Sequence, residues 1–107
     1  MENWTFLTNH AHVLLCVAAD PEIRLRDIAE RVGITERSAQ RIVAELTAGG
    51  YLEHAKVGRR TLYRVQPDLP LRHPIERANQ VGSLFGLIGW KRPAAVRAKA
   101  GRTRVSV

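Results

Sequence analysis

Cysteine, acidic residues and long apolar runs are all scarce in this chain of 107 residues. Cys16 is the one cysteine, so no internal disulfide can form. That excludes a stapled secreted scaffold and suits a reducing cytosol. The longest apolar stretch, Val81 to Trp90, is about half of what a membrane span needs. Glu2 stands where a signal peptide would carry basic residues, and no uninterrupted apolar stretch follows it. The expectation is a soluble, cytoplasmic protein without a membrane partner. Catalytic signatures are missing too: there is no Gly-rich phosphate loop and no GxSxG, and Asp20, Asp27 and Asp68 are isolated. Neither enzymatic chemistry nor a cofactor is expected.

What is there is enough apolar material for one core, 45% of the residues, and a surplus of positive charge, 17 Lys and Arg against 10 Asp and Glu. The resulting +7 favours a polyanionic partner, nucleic acid first. Residues 1–90 hold 11 basic and 10 acidic side chains, whereas residues 91–107 hold 6 basic and no acidic ones. That division predicts a folded domain over 1–90 and a basic, disordered tail over 91–107. Since the tail carries most of the charge, the function of the body must be read from its pattern.

Along the body, Val13, Leu14, Val17 and Ala18 follow helical spacing, with Asn9 placed to cap the start and Asp20-Pro21 to end the run. Leu25, Ile28, Ala29 and Val32 repeat at i, i+3, i+4, i+7 and stop at Gly33, a residue suited to the left-handed turn of a helix end. Thr35 caps a third helix, about 36–48, which Gly49-Gly50 terminates. The segments 51–56 and 61–65 read as two strands around the basic turn Val57-Gly58-Arg59-Arg60. A connector with Pro67 and Pro70 follows, and then a last helix over about 74–89 that starts at Pro74. The fold class is mainly α: a winged helix-turn-helix with a three-helix core, a two-stranded β-hairpin wing and a C-terminal helix.

Ile28-Ala29, the turn Val32-Gly33-Ile34-Thr35, the run Arg41-Ile42-Val43 with Leu46, then Gly50-Tyr51-Leu52 and Gly58-Arg59-Arg60 before Tyr63 occur in the order and spacing of a known module. The stretch from Leu25 to Val65 resembles the winged helix-turn-helix of bacterial transcriptional regulators of the MarR, ArsR and IclR families. The resemblance implies a sequence-specific regulator that binds double-stranded DNA, commonly as a homodimer, and leaves any small-molecule effector unknown. A complete MarR protein carries longer flanking helices around an effector pocket, for which this chain looks too short. Arg24 departs from the pattern, standing where such domains usually carry a Ser or Thr cap before the second helix.

Stepping about 100° per residue gathers Ala39, Ile42, Val43 and Leu46 into one stripe of the third helix. Arg37, Arg41, Ala44 and Ala48 lie opposite, with Gln40 at the edge. Arginine and glutamine pair with guanine and adenine edges in the major groove, and alanine lets the backbone approach closely. The expected base readers are therefore Arg37, Gln40, Arg41 and Ala44. Phosphate and wing contacts are expected from Arg24, Thr35, Ser38, Lys56, Arg59, Arg60 and Arg64.

His12 and Cys16, four apart on the first helix, could supply two metal ligands, but two do not make a site and no metal is expected. Leu84, Phe85, Leu87 and Ile88 spread over more than half the girth of the last helix, which predicts a dimer contact there. Gly82 and Gly86 would let a second helix come close, and Trp4 to Leu7 could join the seam. The competing reading is a winged-helix protein-interaction module whose basic tail binds nucleic acid without sequence preference.

Overall fold

The computed structural model describes residues 4–92; most of the tail expected over 91–107 lies outside the described residues. Three helices, α1 (Asn9–Ala19), α2 (Leu25–Val32) and α3 (Glu36–Ala48), are followed by strands β1 (Leu52–Val57) and β2 (Arg60–Val65), then a short helix α4 (Gly82–Phe85) that runs into a 3-10 turn, Gly86–Ile88. This is the mainly helical, winged architecture that the sequence pattern predicts. No helix among the described residues is long and apolar enough to cross a membrane.

Helix α1 begins one residue earlier than expected. Thr8, with extended backbone angles, caps it through its side chain and Asn9 is already helical. Helix α2 ends on Gly33 at φ 86°, where a side chain would be strained, and the tight turn to α3 follows. Thr35 accepts a hydrogen bond from the Ser38 backbone N–H at 3.0 Å and so caps α3. Arg24 offers α2 no side-chain cap. The three helices bury one contiguous core containing Val13, Val17, Ile28, Ala39 and Ile42. Leu52 and Tyr63 attach the wing to it from one face of the hairpin.

The strands pair antiparallel, Leu52 with Val65 through Val57 with Arg60, so the turn is Gly58-Arg59 alone and Arg60 belongs to a strand. Alternation puts His54 and Lys56 on the same face as buried Leu52, and Thr61 on the same face as buried Tyr63. Glu53 and Arg64 project from the opposite face.

The expected helix over 74–89 is corrected. Residues 74–78 form turns, and the backbone instead doubles back between Pro70 and Gln80. The Leu71 N–H donates to Asn79 O at 2.9 Å and the Val81 N–H to Leu69 O at 2.7 Å, which commits polar groups that an α-helix would need for its own ladder. Val81 and Phe85, one turn apart, enter the core. Gly82 is required for a different reason than expected: a Cβ there would meet Pro67 O at 2.8 Å, so this chain's own backbone occupies the close approach. At Gly86 a Cβ would meet nothing within 4 Å.

Candidate nucleic-acid interface

Helix α3 turns its buried stripe of Ala39, Ile42, Val43 and Leu46 inward and leaves Arg37, Gln40, Arg41 and Ala44 exposed. The wing folds back beside it. Between them runs a cleft of about 730 Å³ lined by Gln40 and Ala44 of α3, Arg24 ahead of α2, and Lys56, Arg59, Arg60 and Thr61 of the hairpin. Four cations thus converge with a glutamine and an alanine on one concave surface, in a width set by the hairpin register and by the buried contacts of Leu52 and Tyr63.

The cations are not equivalent. Arg60 Nη2 approaches Glu22 Oε1 at 3.3 Å, which ties the wing to the loop before α2. Arg64 lies on the outer face, held by Glu53 at 3.0 Å, its cross-strand partner, and does not line this cleft. Arg24, Arg37, Lys56 and Arg59 have no carboxylate within ion-pair distance among the described residues. Thr35 and Ser38 lie at the start of α3 as expected, but their hydroxyls bond each other at 3.1 Å, with Thr35 donating. Three polar members of the cleft, Glu22, His54 and Thr61, were not expected from sequence; the strand alternation that brings Lys56 inward also brings His54 and Thr61, and was the available signal for those two.

Arg41 carries a feature that local pattern only half reveals. Its Nη1 lies 3.2 Å from Glu45 Oε2, an i,i+4 pair on α3, while the other carboxylate oxygen lies 2.6 Å from His10 Nε2 on α1. Hydrogen bonding to His10 is the largest of the effects that hold the Glu45 carboxyl below its usual range, and Arg41 acts in the same direction. His10 is 35 residues away in the chain, a separation no periodicity reports.

The four residues expected at a dimer contact separate. Phe85 is fully buried, stacked edge-on against Trp90 with ring centroids 5.1 Å apart, and is a core residue of its own chain. Leu84 is half-buried against the same core. Leu87 and Ile88 are exposed, as are Trp4 and Phe6 at the other end of the described chain. Cys16 is half-buried, and burial pushes its thiol above the ordinary range while Arg31 pulls the other way. His12 and Cys16 share a shallow cleft with Arg31, and among the described residues no group of three His, Cys, Asp or Glu side chains forms a metal site.

Comparison with known proteins gives this geometry its relatives. The PcaV transcriptional regulator of Streptomyces coelicolor, solved with its natural ligand, superposes with a TM-score of 0.50 at 19% identity, covering 90% of this chain and 70% of that one. A point variant of Lactococcus lactis ZitR gives 0.54 at 14% identity, covering 98% and 66%. A further structure of ZitR, described as a zinc-responsive MarR family member, gives 0.47 at 18%, covering 61% and 46%, so this chain spans under half of that protein. At these identities the likeness is one of fold. No curated protein matches the sequence. The model of the MarR family matches residues 5–60, just over half of the chain, from the approach to α1 through α2 and α3 to the wing. The chain belongs to the MarR family.

Proposed function

We propose that this chain is a sequence-specific DNA-binding transcriptional regulator that inserts α3 into the major groove and rests the wing on the flanking phosphates. The observation that carries the proposal is the cleft between α3 and the hairpin. It sets Arg24, Lys56 and Arg59 beside Gln40 and Ala44 on a surface with a rigid, buried back. Arg37, Gln40, Arg41 and Ala44 read base edges, and the amide and side-chain donors of Gln40 and the arginines suit adenine and guanine. Arg24, Lys56, Arg59 and Arg60 take phosphates and supply the salt-dependent share of affinity, with Thr35 and Ser38 at the helix start. Arg64, turned to the outer face of the wing, contributes at most long-range attraction.

The active form in this reading is a homodimer. Leu87 and Ile88, with the exposed ring pair Trp4 and Phe6, supply apolar surface for it, and a two-fold protein matches a palindromic operator. The domain is placed over 1–90 with a basic tail over 91–107 that adds sequence-independent attraction. The protein acts in the cytoplasm, without catalysis. Selection of bound duplexes from a random pool, followed by titration of the selected site with salt, tests the proposal. A defined, two-fold related motif with a steep salt dependence is expected. Binding to all duplexes alike, lost when residues 91–107 are removed, would instead support the protein-interaction reading of the winged domain.

A further inference from the structure

We infer that Glu45, anchored by His10, is a positioning residue that sharpens base choice by Arg41. The inference rests on the DNA-reading role proposed above for α3 and adds to it how one arginine is aimed. Arg37 and Arg41 share the exposed face of the helix, one turn apart, yet only Arg41 is braced. Glu45 divides its two carboxylate oxygens between partners, Oε2 facing Arg41 Nη1 at 3.2 Å and Oε1 facing His10 Nε2 at 2.6 Å. His10 stands in the first turn of α1, whose Val13, Leu14, Val17 and Ala18 are buried in the core. The guanidinium is therefore referenced to the scaffold of the domain and not only to its own flexible stem.

A guanidinium carries five N–H donors in a rigid fork. Glu45 engages it at Nη1, and the remaining donors can still meet the O6 and N7 acceptors of a guanine as a pair. Holding the fork in one orientation lowers the ordering cost of that contact and raises the cost of reaching for a differently placed acceptor. The same carboxylate also has a cost of its own: it adds a negative charge beside the DNA and weakens attraction to every phosphate backbone. A carboxylate at this position thus trades general affinity for discrimination. Arg72, which lines the same cleft as His10 and Glu45, is the other cation near the pair.

The test compares the full chain with Glu45→Gln, His10→Ala and Arg41→Ala on the selected operator, on every single-base variant of it, and on random duplex. Arg41→Ala identifies the base pair that Arg41 reads. At that base pair Glu45→Gln should reduce discrimination by about fivefold or more, while binding to random duplex tightens. His10→Ala should relax the same base pair by a smaller factor, and neither substitution should change discrimination further in an Arg41→Ala background. If Glu45→Gln or His10→Ala weakens all sequences equally, the bridge only clamps α1 to α3 and the inference is overturned. If Arg41→Ala relaxes one base pair and Glu45→Gln leaves it unchanged, the inference fails while the DNA-reading role stands. If Arg41→Ala leaves every preference intact, the base-reading role of Arg41 fails, and the inference with it.

Discussion

The winged body from Leu25 to Val65 and the segment behind it, residues 66–92, are built on different terms. In the body each helix buries a stripe that its own sequence spells out, and the caps and glycines that end the helices stand at the junctions. In the following segment, Pro67, Val81 and Phe85 are the only buried residues, and the stretch from Arg72 to Gln80 is exposed throughout. Phe85 and Val81, with half-buried Leu71, Leu84 and Trp90 packed beside them, hold a long loop to the domain. The difference teaches that a run of apolar residues does not specify a helix when a few of them find the core and the backbone between closes on itself.

The comparison breaks most visibly at Phe85. Phe85→Ala should cost about 3–5 kcal/mol of stability, because a fully buried ring leaves a cavity between α1, α4 and Trp90. Leu87→Glu, two residues on and exposed, should leave thermal unfolding almost unchanged while dissociating a dimer in sedimentation. If both substitutions unfold the protein equally, the separation of core from contact surface is wrong.

A smaller loss is expected at Gly82. An alanine Cβ there would stand 2.8 Å from Pro67 O, a backbone atom that cannot swing aside, so Gly82→Ala should destabilise by about 1–3 kcal/mol. Gly86→Ala, which meets open space, should be neutral or slightly stabilising. Paired denaturant titrations measure the contrast.

In the body, the neighbours Arg59 and Arg60 offer a finer test. Arg59→Ala should weaken operator binding and lower the slope of log K against log salt by about 1, as expected for one lost phosphate contact. Arg60→Ala should change the slope less, since its charge is already paired with Glu22, and should also loosen the wing. Equal slopes for the two variants would show that the pairing with Glu22 does not survive on DNA.

The smallest effect concerns pH. Because the folded state holds the Glu45 carboxyl below its usual range, its contribution to stability is present above the unfolded value of about 4.3 and is lost as the pH falls through the folded value. Glu45→Gln should therefore lower the melting temperature slightly at neutral pH, where the contribution is present, and so flatten a small part of the acid-side fall. An unchanged acid limb would mean that the bridge to His10 is not formed in solution.

The sequence by itself determined the three helices, the wing and the exposed face of α3. These follow from spacing at the helical and strand periods and from capping by Thr35 and termination at Gly33, Gly49 and Gly50, all of which act within a few residues. Tertiary structure alone decided which cations remain free. Arg60 is drawn to Glu22 and Arg41 to a carboxylate that His10 anchors, and the His10 and Glu22 contacts each cross more than 30 residues of chain. It also decided that Phe85 is core and that Gly82 accommodates Pro67. Apolar side chains carry no label for the surface they will cover, and only closure of the loop between Pro70 and Gln80 brings Phe85 to α1 instead of to a second copy of the chain.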